Sequence, residues 1–337
     1  MKTILVLGIS GNVSLGILRV LKKNFPSYKI IGACVKESFG NYFCDEFVIS
    51  PFASDKTFLN WIVSICQDKK IDLIFSGVEE VIEVLVSFES FILANTDCKL
   101  TFSKYSSLSI GKCKFKTSEW LKNNNFSYPN FFIPNNLEEI ENRFKLFRKP
   151  LIIKPLVGKG SQDIYKIESL KDFDFVNSSV KNYSNYLVQD LIGNDDCEYT
   201  IGCYQNIFGD VIKPIVFRRK LSNGNTVYAE LIENECITDY AVNITKSFNP
   251  MGPLNVQLRL DNDGNPVCFE LNVRFSGTSL IRDYFGFKDV VSLVGEKLFN
   301  EFSHSNFVIS PNGICFRAAN EFFLDDRNGV KQFFHYE

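Results

Sequence analysis

Residues 253–274 read PLNVQLRLDNDGNPVCFELNVR, and their pattern decides the fold of the second half of the chain. Two apolar-rich runs, PLNVQLRLD and NPVCFELNVR, flank the polar segment Asn262-Asp263-Gly264-Asn265, whose Asp-Gly step supplies the turn of a β-hairpin. A strand period of two puts Glu270, Asn272 and Arg274 on one face and sends Leu271 and Val273 to the core. Gln257 lies on the partner strand. One face then offers a carboxylate, amide oxygens and a guanidinium together. A hard cation such as Mg²⁺ takes carboxylate and amide oxygens along with phosphate oxygens, and arginine presents a planar fork to phosphoryl groups. A solvated sheet face with an incidental Glu–Arg pair is the plain alternative; three consecutive outward positions suited to phosphate–metal chemistry favour the functional one.

Upstream, the chain after Pro150 is a succession of strands, LIIKPL, DIYKIE, YLVQDLI, EYTIGCYQ, DVIKPIVFRR and TVYAELIE, followed by a helix over 236–248. This is the pattern of an antiparallel α+β domain. Lys154 stands inside the apolar strand Leu151-Ile152-Ile153-Lys154-Pro155, where an unpaired ammonium is costly to bury. Its charge needs a partner, either a phosphate or an internal Asp or Glu. Between LIIKPL and DIYKIE lies Val157-Gly158-Lys159-Gly160-Ser161-Gln162. A Walker A loop needs a strand and then a helix, so this stretch reads either as a hairpin whose backbone N–H groups approach phosphates or as an ordinary exposed hairpin. Glu198 offers an acceptor for ribose hydroxyls, and the extended segment around Gln189, Asp190, Leu191 and Ile192 exposes backbone groups to an adenine edge. Arg218, Arg219 and Lys220 form a basic run, a solvated strand end or a clamp on an anionic substrate.

Residues 1–103 alternate strand-like runs, TILVLG, KIIGACV, EFVIS, DLIFSG and KLTF, with helical spacing over 12–24, 55–69 and 79–90. That is a parallel sheet wrapped by helices, a Rossmann-type domain. Its first turn, Gly8-Ile9-Ser10-Gly11-Asn12-Val13-Ser14-Leu15-Gly16, is not G-x-G-x-x-G, and no acidic residue follows the second strand to bind a ribose. A structural turn, or a pocket for part of a non-nucleotide substrate at Gly11 and Asn12, fits better. Further helices are expected over 112–124 and 136–147.

A formal charge of −2 gives no electrostatic reason for binding nucleic acid or an anionic membrane. No apolar run approaches the roughly 18 residues of a membrane span, and the N-terminal run is broken by Gly8 and Gly11 before a signal peptide is complete; a cytoplasmic location is expected. The ten cysteines are scattered singly and there are two histidines. Neither zinc nor a histidine-centred triad is favoured, so catalysis must rest on Lys, Arg, Glu, Asn and a bound ion.

Taken in order, these features resemble the ATP-grasp superfamily, in particular short single-chain relatives of the carbamoyl phosphate synthetase large subunit. The likeness spans roughly residues 1–300 and is carried best by Asn255-Val256-Gln257 and Phe269-Glu270-Leu271-Asn272-Val273-Arg274-Phe275-Ser276-Gly277. It implies an α/β and α+β architecture: a Rossmann-like domain over 1–103, an ATP-grasp N-terminal subdomain over 104–190 and a C-terminal subdomain over 191–337. It also implies that Gln257, Glu270 and Asn272 hold Mg²⁺, with Mn²⁺ as a substitute, and that Arg274 contacts the terminal phosphate.

ATP would further meet Lys114, Lys154, the loop Gly158, Lys159, Gly160 and Ser161, the linker Gln189 to Ile192, and Glu198 at the ribose. Cys113 replaces the usual acid before Lys114, and Val273 the usual proline after Asn272. Gly11, Asn12, Arg218, Arg219, Ser276 and Gly277 are the substrate candidates, and Arg317 reads either as a further one or as part of a simple edge strand. The implied activity is carboxylate–amine ligation through an acyl phosphate, with a sugar carboxylate and an amino acid or amino alcohol as one pairing, in a homodimer by analogy. A dipeptide-forming ligase, a nucleotide-binding module without turnover and a nicotinamide-dependent dehydrogenase are the competing readings.

Overall fold

The computed structural model describes residues 1–158, 162–318, 323–325 and 329–331. The chain divides into two compact units. The first comprises Met1–Phe102, Phe275–Ser310 and the described residues from Cys315 onward; the second comprises Ser103–Arg274 with Pro311–Ile314.

In the first unit five strands, β1 (Thr3–Leu7), β2 (Lys29–Cys34), β3 (Glu46–Ile49), β4 (Leu73–Ser76) and β5 (Lys99–Leu100), form a sheet in the order β3-β2-β1-β4-β5. All four pairings are parallel. β1 is buried along its whole length, as a central parallel strand covered on both faces must be. Helix α1 (Asn12–Asn24) packs across β1, β2 and β4. Phe58 and Ile62 of α2 (Phe58–Lys69), Leu85 of α3 (Glu79–Ser87) and Ile92 of α4 (Glu89–Asn95) share a core with Leu5, Leu7, Ile31 and Ile74. The helix expected over 79–90 is interrupted at Phe88, whose φ of −113° and ψ of 22° lie outside the α region.

The second unit contains two antiparallel sheets. The helix expected over 112–124 is present as α6 (Lys114–Asn123), and a further helix, α5 (Tyr105–Lys112), precedes it, with Cys113 extended between them. Gly111 allows α5 to press onto the neighbouring sheet, because a Cβ there would stand 2.6 Å from Val273 and 2.9 Å from the Leu271 carbonyl. The smaller sheet has β6 (Phe131–Phe132), β7 (Leu151–Pro155), β8 (Tyr165–Ile167) and β9 (Tyr186–Asp190) in the order β6-β9-β7-β8. One face of it, with Leu151, Ile153 and Val188, shares a core with α7 (Leu137–Phe147) and α8 (Asp172–Ser179). In the larger sheet β10 (Glu198–Tyr204), β11 (Ile215–Ser222), β12 (Asn225–Leu231), β13 (Pro253–Leu260) and β14 (Pro266–Asn272) run in the order β14-β13-β10-β11-β12. Tyr199, Ile201, Val216, Val256, Leu258 and Leu271 pack with Ile237, Ala241 and Ile244 of α9 (Glu235–Phe248).

Phe275–Ser310, grouped from sequence with residues 191–274, packs in the first unit instead. It carries α10 (Ser279–Tyr284) and α11 (Asp289–Phe299), and both lie against α1. The tie is electrostatic as well as apolar: Asp283 accepts from Lys23 and Asn24, and the buried Arg282 reaches Asp289 and Ser276. Burial pushes the Asp289 carboxyl up to about 6, against the opposing pull of Arg282.

Candidate active site

The β13–β14 hairpin forms where the sequence indicates. Asp261 accepts the N–H groups of Asp263 and Asn265 at 3.0 and 2.8 Å, and Gly264 takes φ = +82°, a region that costs other residues strain. Glu270 pairs with Gln257, and Asn272 with Asn255, on the face away from the core. A β-bulge separates these pairs from Leu258–Cys268. Strict alternation would put Cys268 on the face of Glu270; the extra residue of a bulge resets the phase, so Cys268 is core and Phe269 turns to the polar side.

There the Phe269 ring centroid lies 4.6 Å from the Lys154 ammonium. The register Ile152–Gln189 and Lys154–Leu187 puts Lys154 and Gln189 on the face of the smaller sheet opposite α7 and α8. Lys154 is only 5% exposed. Burial pushes its pKa down to about 8; Glu270 and Glu198 pull it upward, and Lys114 and Arg259 add to the depression. No carboxylate among the described residues forms an ion pair with it; Glu270 and Glu198 act on it as more general electrostatic neighbours. An ammonium at this depth stays charged only with an anion beside it or in a polarisable environment, and the Phe269 ring supplies part of the latter.

Gln189, 1% exposed, donates from Nε2 to Ser118 Oγ at 3.0 Å. Its Oε1 is buried without a hydrogen-bond partner among the described residues. The rest of the linker is committed elsewhere. Asp190 points to the opposite face and accepts from Asn130 and Arg143 at 2.8 and 3.2 Å. The N–H groups of Asp190 and Leu191 bond to the carbonyls of Asn130 and Pro150. Lys114 opens α6 and donates to the Gly158 carbonyl at 3.2 Å, at the stem of the glycine-rich loop; Lys159, Gly160 and Ser161 lie outside the described residues.

On the larger sheet Glu198 is 9% exposed and held by two arginines, Arg219 at 2.9 Å and Arg259 at 2.8 Å. Burial alone would raise its pKa, but the two guanidiniums outweigh burial and hold the carboxyl below its ordinary value. The basic run 218–220 divides by strand alternation. Arg219 joins Glu198 and also donates to Gln257 Oε1 at 2.7 Å, whereas Arg218 points outward to Glu230. The metal-ligand candidates form a chain: Asn272 donates to Glu270 at 3.2 Å, and Arg274 donates to Asn272 Oδ1 at 3.2 Å. One carboxylate and two amide oxygens converging on one sheet face suit a hard cation that takes its remaining ligands from phosphate and water. No cluster of three or more His, Cys, Asp or Glu among the described residues competes as a metal site.

The remaining substrate candidates gather in the first unit. A Cβ on Gly277 would stand 2.9 Å from Asn12 Nδ2, at the start of α1 just after Gly11. Arg317, next to β15 (Ile314–Phe316), donates to the Gly277 carbonyl at 2.5 Å. Ser276 is spent inside the unit, accepting from Arg282 and hydrogen-bonded to the Thr278 hydroxyl. Three contributors went unnoticed in the sequence: Ser118, Arg259 and Phe269. Arg259 was within reach, since it lies two residues from Gln257 on the same strand. Phe269 depends on the bulge and Ser118 on a contact across 71 residues; neither has a local signal.

Residues 184–287 match the family model described as ATP-grasp in the biosynthetic pathway with Ter operon, and residues 4–96 match the PylC-like N-terminal domain. No curated protein matches the chain. Among solved structures, the L-amino acid ligase from Bacillus licheniformis superposes with a TM-score of 0.73 at 14% identity, covering 95% of this chain and 81% of its own. Biotin carboxylase from Campylobacter jejuni, crystallised as a β,γ-ATP complex, gives 0.72 at 14% identity over 93% of this chain and 74% of its own. N5-carboxyaminoimidazole synthetase from Staphylococcus aureus complexed with ADP gives 0.68 at 14% identity over 94% and 80%. The chain has the ATP-grasp fold, its residues 4–96 are similar to the PylC-like N-terminal domain, and these neighbours of known fold are enzymes.

Proposed function

We propose that this ATP-grasp enzyme is a carboxylate–amine ligase that forms an amide through an acyl phosphate and releases ADP and phosphate. The observation that carries the reading is Lys154, a buried ammonium with no ion pair to a carboxylate among the described residues, whose strongest opposing charge is Glu270 of the oxygen-rich β13–β14 face. A polyanion with a hard cation satisfies both features at once. Gln257, Glu270 and Asn272 would hold Mg²⁺, which supplies charge neutralisation on the phosphate oxygens. The orphaned Gln189 Oε1 suits a donor such as the exocyclic amine of adenine.

A carboxylate is a poor electrophile at neutral pH, and phosphorylation gives it a good leaving group. The chain's part in that step is positioning and electrostatics: Lys154, Lys114 and Arg274 would hold the phosphoryl oxygens and offset their charge, with no protein nucleophile required. An amine then attacks the acyl carbon and phosphate leaves. Gly11, Asn12, Gly277 and Arg317 are the residues we assign to a co-substrate. A sugar carboxylate paired with an amino acid or amino alcohol is the first pairing to try. Dipeptide formation, the second reading, is favoured by the fold shared with an L-amino acid ligase.

The test is nucleotide product analysis with Mg-ATP and pooled carboxylates and amines, uronic and amino acids included, with Glu270→Gln as the blank. ADP and phosphate appearing only with a matched acid–amine pair is the expected result. AMP with pyrophosphate would overturn the mechanism.

A further inference from the structure

The charges around Lys154 pull in opposite senses. Glu270 on β14 and Glu198 on β10 favour its cation, whereas Lys114 on α6 and Arg259 on β13 oppose it. The group set directly against the ammonium is the Phe269 ring, with its centroid at 4.6 Å. At that distance the negative face of a ring attracts a cation, and the attraction grows where water is excluded. Lys154 is buried and the ring over it is half-buried.

The kind of contact matters. A carboxylate stabilises a cation by taking its N–H groups, as Glu198 takes those of Arg219 and Arg259. A ring face stabilises it through the quadrupole and leaves the three ammonium donors for an incoming acceptor. An aliphatic side chain at 269 would occupy the place without that face. The bulge in the β13–β14 ladder puts the ring there: Gln257 pairs with Glu270 and Leu258 with Cys268, so Phe269 is the extra residue, turned to the polar side toward Lys154.

Resting on the ATP site proposed above, we infer that Phe269 is a positioning residue for Lys154, whose ring holds the ammonium charged and in place for phosphate oxygens, so that it acts on nucleotide binding through Lys154.

The test is equilibrium binding of Mg-ATP to the full chain at pH 7 and pH 9, for the wild type, Phe269→Leu, Phe269→Tyr, Lys154→Met and the double variant Phe269→Leu with Lys154→Met. Loss of a ring contact lowers the pH at which the free ammonium discharges by about one. Phe269→Leu should therefore weaken ATP about tenfold at pH 9 and about twofold or less at pH 7. Phe269→Tyr keeps the ring face and should stay within about twofold of the wild type at both. With Lys154→Met already present, Phe269→Leu should add no further loss. A loss equal at the two pH values, or one that persists beside Lys154→Met, would mean that the ring acts by packing alone. That result would overturn the inference and leave the ATP site standing; failure of ATP to bind the wild type would remove both. Should Phe269→Leu not fold, trifluorophenylalanine at 269 keeps the ring's shape and weakens its negative face. It should give a smaller loss with the same pH dependence, and wild-type affinity at pH 9 would overturn the inference.

Discussion

Lys154 on the smaller sheet and Glu198 on the larger one are both buried charges in the second unit, and their surroundings are opposite. Glu198 is fully answered from within by Arg219 and Arg259. Lys154 has an aromatic face and, among the described residues, no ion pair with a carboxylate, although Glu270 and Glu198 act on its charge. Burying an ion without a close partner opposes folding, whereas a paired ion gives back much of its desolvation cost. A satisfied charge is finished architecture; an ammonium at the same depth with no ion pair among the described residues is what the proposed nucleotide site would use. The comparison therefore separates two charged residues that look equally functional in the sequence.

The sharpest way to break this contrast is Lys154→Met. Removing a group that stabilises developing charge should lower the rate of ADP formation by about 100-fold or more. The thermal midpoint without nucleotide should stay equal or rise, because an unpaired buried ammonium has been replaced by an apolar chain of similar length. A large fall in the midpoint would mean that Lys154 has an internal structural role.

A smaller effect should follow pH. The folded pKa of Lys154, about 8, lies below its ordinary value of 10.5, in a setting shared by Glu270, Glu198, Lys114 and Arg259. On the proposed reading the charged form binds phosphate, so nucleotide affinity should be full below about pH 8 and fall as pH rises above it. Without nucleotide the sign reverses for stability. Between about 8 and 10.5 the unfolded chain holds a proton that the folded chain has released, so this group's contribution to stability rises with pH. Calorimetric affinities across that window measure the first trend and thermal melts the second; affinity flat through pH 9 would contradict the assignment. The smallest effect belongs to Arg218→Ala. This exposed partner of Glu230 should leave melting and ATP affinity unchanged within error, since ion pairs in water add little.

The parallel domain was legible in detail because its signal is local. A fully buried strand such as TILVL and the 3.6-residue spacing of α1 reflect burial face by face, and burial is written into each residue. The hairpin was equally plain from its Asp-Gly turn. Less legible were the break at Phe88, where a continuous helical pattern conceals a local change of backbone, the short helix α5 ahead of Cys113, and the return of 275–310 to the first unit, which depends on contacts such as Asp283 with Lys23. Within the site, Glu270 and Asn272 were placed by alternation. The free acceptor on Gln189 and the outward turn of Asp190 needed the register of β7 with β9.

By itself the sequence determined the order of elements, the oxygen-bearing face of β14 and the presence of a lysine in an apolar strand, because periodicity and turn chemistry act over a few residues. Only the tertiary structure decided which charges meet. It closed Glu198 between two arginines, left Lys154 beneath Phe269, joined Arg219 to Gln257, and used a single bulge to keep Cys268 in the core while Phe269 and Glu270 face the site. Electrostatic partnership depends on distances across strands far apart in the chain, and no local pattern encodes those distances.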